Sequence, residues 1–223
     1  MIQAFETTKM NHNYNFSKIL ILMCALLVFD AGGQAYAAHS NVIDFVNGSR
    51  KFSTAGHPKS KGLNIEVSYP SSWLAKEGER PNIVQKFTSD GGRGLEMALI
   101  VVMDLQLPKD YVPSENEIYE LLSSSAFKGS MPNATFKKVK RTRIDGIPAG
   151  IIEYSVRTEN AGMALVNHFT SYVFIYRSTM VQFTCSVFGS ANSTAKFIEN
   201  KTEEFRLLFS LMANSIVVQS KWE

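Results

Sequence analysis

Residues 95–102, LEMALIVV, are apolar at nearly every position. A run without polar alternation reads as a strand buried on both faces, at the centre of a sheet. A sheet covered on both sides needs a layer on each. This segment therefore predicts an α+β fold, an antiparallel sheet flanked by helices.

The flanking sequence supplies the rest. Leu63, Ile65, Val67 and Tyr69 alternate with polar neighbours, the period of a half-buried strand. Pro70 ends it, because proline cannot donate to a ladder. Residues 82–87 predict a second strand and residues 90–94 a turn. Ser114 with Glu117 forms a capping box. Ile118, Leu121, Leu122 and Ser125 share one face of the helix it opens, and Gly129 and Pro132 close the segment. Strand 136–144 runs into Asp145-Gly146, a strong hairpin signal, and strand 147–157 answers it. Strands 163–176 and 180–188 extend the meander. A last helix, about 194–214, carries Phe205, Leu208, Phe209, Met212 and Ile216 as a core-facing stripe. One continuous sheet from Leu63 to Phe188 is expected.

Residues 19–29, ILILMCALLVF, are too short for a membrane span, which needs about 20 residues. They suit the core of a signal peptide. Lys18 supplies the positive flank, and Ala35-Tyr36-Ala37 the small-x-small cleavage pattern, so the cut is placed before Ala38. Ala31-Gly32-Gly33 is a weaker cleavage site, and Met10 an alternative start. Met23 stands before Cys24 where a lipidation site wants a small residue. The chain divides into a signal peptide (1–37), an N-terminal arm with a short strand at 50–53 (38–61), one domain (62–218) and a C-terminal tail (219–223). The expected location is exported, periplasmic or secreted, with no transmembrane segment in the mature form.

The 223 residues are 45% hydrophobic, which suits a globular chain and argues against disorder. The net charge of +3 gives no basic stripe of the kind nucleic acid requires. Cys24 leaves with the leader, so Cys185 has no internal disulfide partner. It alternates with Val181, Phe183 and Val187, the setting of a small buried hydrophobe.

Residues 63–73, LNIEVSYPSSW, resemble the opening of PsbP-like and DcrB-like domains: a strand, Tyr-Pro, then a tryptophan near a turn. Asp145-Gly146-Ile147-Pro148-Ala149 is similar to that family's hairpin, and two further strands and a closing helix match as well. The resemblance covers roughly residues 61–218. It implies an α/β/α sandwich and a mostly non-enzymatic, partner-binding role. It transfers no set of functional residues.

The densest charge cluster is Lys137, Lys138, Lys140, Arg141 and Arg143. Strand alternation sends Lys138 and Lys140 to one face with Phe136, and Lys137, Arg141 and Arg143 to the other with Val139. A strand basic on both faces belongs at an edge. There the charge either blocks sheet-to-sheet aggregation or docks an acidic protein or an anionic surface. His168 lies inside a strand without a metal-ligand partner, and Gly189-Ser190 lacks the frame of a nucleophile elbow. Gly91-Gly92-Arg93-Gly94 precedes a strand, so it offers an anion no helix N-terminus. Glu77 and Glu79 read as loop carboxylates. Four triplets, at Asn47, Asn133, Asn192 and Asn200, fit the glycan acceptor pattern.

These residues predict an exported, non-catalytic domain that binds an envelope protein partner through residues 137–143, with no cofactor and no metal. The alternative is a small-ligand binder or hydrolase with a pocket between sheet and helix, near His168.

Overall fold

A computed structural model describes residues 38–108, 113–123, 125, 131, 133–160, 163–189 and 193–222. The expected signal peptide, with Met10 and Cys24, lies outside the described residues, as do Gly129, Pro132, Ser190 and Asn192.

The fold is α+β. Strands β3 (Leu74–Glu77), β4 (Ile83–Thr88), β5 (Glu96–Asp104), β6 (Ala134–Ile144), β7 (Ile147–Asn160), β8 (Met163–Tyr176) and β9 (Thr179–Val187) form one antiparallel sheet in the order β3-β4-β5-β9-β8-β7-β6. From β5 the chain passes through helix α2 (Glu115–Leu121) to β6 at the far edge, then meanders back until β9 closes against β5. This explains the apolar run first noted: β5 and β9 are the inner strands, and β9 is buried at every position. The β6–β7 hairpin turns at Asp145 and Gly146, both with positive φ (47° and 76°). That is the geometry in which an Asp-Gly pair matches the twist of the flanking strands.

The expectation of one continuous sheet is corrected. β1 (Arg50–Ser53), β2 (Ile65–Tyr69) and β10 (Val217–Val218) form a second, three-stranded sheet in the order β1-β2-β10. Pro70 and the turn at Trp73 take the chain out of β2 before β3 begins. β2 then buries Ile65, Val67 and Tyr69 against the face of the large sheet, where the Tyr69 ring lies 4.6 Å from that of Phe87.

Beside the small sheet, on the same face, lies helix α3 (Ala195–Asn214). Thr194 caps its N-terminus, its side chain accepting from the Phe197 amide. Ile198, Phe205, Leu208, Phe209 and Met212 enter the core with Ala98, Ile100, Phe174 and Phe183 from the large sheet. α2 covers the other face, opened by the Ser114–Glu117 capping box as expected. Ile118 and Leu122 pack there with Leu99, Ile152 and Val173. Leu122 comes so near the strand that a Cβ on Gly150 would lie 3.1 Å from it. Gly150 thus permits the approach of α2.

The segments read as arm and tail carry structure of their own. Residues Ala38–Gly48 form helix α1, held by Asn41, whose Oδ1 accepts from Trp73 Nε1 at 2.7 Å, and by Asp44, which accepts from Ser71 and Ser72. The short strand at 50–53 is present as β1. The 3₁₀ turn Gln219–Lys221 is also pinned: Ser220 O accepts from Tyr176 Oη at 2.9 Å, and Lys221 Nζ donates to Asp145 O at 2.5 Å. Among the described residues no helix is long and apolar enough to cross a membrane.

Candidate functional site

β6 ends the order of the large sheet, so the edge position expected for the basic strand holds. The expected division of its side chains does not. Phe136 stands opposite Tyr154 and Lys138 opposite Glu153, so Lys137 is an extra residue, a β-bulge. A one-residue slip exchanges the faces of everything beyond it. Phe136 therefore packs on the α2 side, its ring 5.8 Å from that of Tyr154, while Lys138 and Lys140 lie on the α3 side. Lys137 leaves the company of Arg141 and Arg143 and reaches α3.

Three of the five cations are engaged. Lys137 Nζ is 2.7 Å from Glu199 Oε1 on α3. Arg143 meets both carboxylate oxygens of Glu115 on α2, at 2.9 and 3.0 Å. The Arg141 guanidinium lies over the Tyr119 ring, 4.4 Å from its centroid. Lys138 and Lys140 differ. Among the described residues neither has an acidic group in ion-pair range. Lys138 beside it holds the Lys140 ammonium below the usual lysine range, by a shared hydrogen bond and by repulsion. Glu153, which faces Lys138 across the ladder, is instead bound to Arg206 of α3 at 3.2 Å. Among the described residues the uncompensated charge of the cluster thus narrows to two lysines on an edge strand.

The other candidates resolve as follows. His168 is 7% exposed, and burial, followed by the charge of Lys137, lowers its pKa, so it stays neutral at pH 7. Cys185 is fully buried, and burial pushes its thiol well up, as suits a core hydrophobe. The described residues contain no group of three or more His, Cys, Asp or Glu side chains able to hold a metal ion. Glu77 and Glu79, read as loop carboxylates, pair with Lys59 at 2.7 Å and with Lys86 at 2.8 Å. Glu77 ends β3, a strand the sequence reading missed.

Two buried polar features also escaped that reading. Glu96, the polar exception in the apolar run, accepts from Ser89 Oγ at 2.6 Å and lies 3.9 Å from Lys201 Nζ, both charged groups being buried. Gln182, in the middle of β9, is buried with its amide nitrogen unpaired. The signal in each case was a polar residue inside a strand covered on both faces.

No protein-family model matches the chain, and no curated protein does. Solved structures give fold likenesses. LpqN of Mycobacterium tuberculosis, described as involved in cell envelope biogenesis, is 9% identical with a TM-score of 0.44, over 83% of this chain and 98% of that one. A protein of Bacteroides thetaiotaomicron is 12% identical with a TM-score of 0.38, over 71% of this chain and 46% of that one. PA94, a Pseudomonas aeruginosa protein of unknown function, is 15% identical with a TM-score of 0.35, over 64% of this chain and 86% of that one. Likenesses at these levels assign neither family nor activity.

Proposed function

We propose that the chain is an exported, non-catalytic PsbP/DcrB-like domain that binds a protein partner of the cell envelope along the open edge of β6. The observation that carries this reading is the Lys138–Lys140 pair. Two like charges sit side by side on the strand that, among the described residues, ends the sheet, one already held below its ordinary pKa, with the nearby carboxylate committed to Arg206. An extended acidic segment suits that edge. Its backbone would continue the ladder, and its carboxylates would lie beside the two lysines. Exposed ion pairs each contribute little affinity. The charges serve to select the partner and speed encounter, while the strand edge supplies the hydrogen bonds.

Export rests on the leader pattern of residues 19–37. The family assignment is supported by the arrangement of the motif residues. Tyr69 and Trp73 are buried on either side of the Pro70 turn, and Ile147-Pro148-Ala149 opens β7 directly after the hairpin. The non-catalytic reading is supported by the burial of the His168 ring and of the Cys185 thiol, which keeps both from a substrate in solvent.

Lys138→Glu with Lys140→Glu is expected to abolish capture of the partner from envelope extracts and to leave the unfolding midpoint within the range of ordinary surface substitutions, about 0.5 kcal/mol. Equal capture by the wild type and the reversed variant rejects the β6 edge as the docking surface.

A further inference from the structure

The bulge at Lys137 leaves residues 138–144 as a regular stretch of β6, up to the turn at Asp145 and Gly146. Within it the two faces differ. Lys138, Lys140 and Thr142 stand opposite Glu153, Ile151 and Ala149, on the α3 side. Val139, Arg141 and Arg143 stand opposite Ile152, Gly150 and Pro148, on the α2 side.

Positive charge gathers on the α3 side. Lys138 and Arg206 both lie close enough to repel Lys140, and Arg206 holds Glu153 and Glu203, at 3.2 and 2.6 Å. The α2 side is arranged otherwise. Arg141 lies over the Tyr119 ring and Arg143 is bound to Glu115. Val139 is 36% exposed, while Ile152 across the ladder is wholly buried. A strand protected from aggregation by charge alone gains nothing from valine here, since lysine would protect it better. The valine carries the apolar row of the α2 layer out to the strand that, among the described residues, ends the sheet.

A segment added to β6 would alternate in step with it. Its residues beside Lys138 and Lys140 are two apart and share the α3 face. The residue between them lies on the α2 face, beside Val139. Opposite charges paired on one face and apolar side chains on the other are the cross-strand contacts that stabilise a sheet and fix its register. The pattern reads the same whichever way the segment runs, so parallel and antiparallel addition ask for one sequence.

We propose that β6 docks a segment with two acidic residues at alternate positions and an apolar residue between them, the acidic side chains beside Lys138 and Lys140 and the apolar one beside Val139. This requirement rests on the docking edge proposed above and narrows its partner to an alternating sequence. A run of consecutive acidic residues fits less well, because every second carboxylate would turn to the side of Val139.

The test uses two fluorescein-labelled peptides of one composition, TSEVEST and TESVSET. Each is titrated with the protein and followed by fluorescence anisotropy at low ionic strength, where exposed charges are least screened. TSEVEST is expected to bind about five-fold more tightly. In TESVSET both carboxylates share a face with the valine, and no register brings the two of them to the two lysines. Val139→Thr keeps a strand-forming residue and loses the apolar contact. It should weaken TSEVEST about three-fold and leave TSETEST, which lacks the apolar residue, unchanged. A melting temperature equal to the wild type shows that the variant folds. The proposal is overturned if TSEVEST does not bind, if TESVSET binds as tightly, or if Val139→Thr binds TSEVEST as the wild type does. Capture from envelope extracts judges the docking edge separately: capture lost on reversal of Lys138 and Lys140, with the two peptides bound alike, keeps the edge and removes the pattern.

Discussion

Trp73→Ala is expected to lower the free energy of unfolding by about 3–5 kcal/mol, the cost of removing a large buried aromatic side chain. Trp73 is 2% exposed and packs in the cluster that joins the small sheet, the large sheet and α3. It also holds α1 through its bond to Asn41. The two roles separate by substitution. Trp73→Phe keeps most of the buried area and leaves Asn41 Oδ1 without its donor, at a cost of about 1–3 kcal/mol. Denaturant unfolding measures the totals. Hydrogen exchange locates them: Trp73→Phe should release the amides of α1 first, while those of β5 and β9 remain protected. A Trp73→Ala midpoint equal to the wild type would show that the turn after Pro70 does not join the layers.

The second large effect is expected at the buried pair of Glu96 and Lys201. Lys201→Met should cost about 3–5 kcal/mol, because it leaves a buried carboxylate with a hydroxyl for company and no cation. Lys201 also lies over the Phe205 ring at 5.5 Å, so its stem and charge both bear on how α3 sits against β5. Glu96→Leu with Lys201→Met should recover most of the loss, since replacing both members of a buried pair by apolar groups is far cheaper than removing one. A double-mutant cycle by denaturant unfolding reads the difference. Additive losses would show that the two charges do not depend on each other.

These two sites mark what the sequence carries and what it hides. Period and turn chemistry place nearly every strand of the large sheet. The Asp145-Gly146 turn admits one hairpin geometry, and the apolar run at 95–102 needs the centre of a sheet. The partition into two sheets is not visible, because β2 alternates like any half-buried strand and its neighbours β1 and β10 come from distant parts of the chain. Helix α1 was missed because Ala38–Gly48, AHSNVIDFVNG, gains its place from tertiary bonds through Asn41 and Asp44 rather than from a strong apolar stripe.

The basic strand shows the same limit at finer scale. Its edge position followed from charge on both faces. The facing of individual lysines did not, because one bulged residue, Lys137, reverses the alternation from Lys138 onward. Nor could spacing show that Glu115, Tyr119 and Glu199 would engage three of the five cations. What remains is a smaller and more specific surface than the sequence suggested. Gln182 was hidden for a related reason: a glutamine in an alternating strand looks solvent-facing until β5 and β8 are known to enclose it.

The most direct measurement of the central claim is site-specific photo-crosslinking in intact cells. A benzophenone side chain in place of Val139, which lies between Lys138 and Lys140 along β6 and points to its α2 face, is compared with one in place of Lys76 on β3, the opposite edge strand. The account predicts one discrete protein adduct from the β6 position, lost when Lys138 and Lys140 are both changed to glutamate, and no such adduct from β3. No adduct from β6, or one that survives the charge reversal, would contradict it.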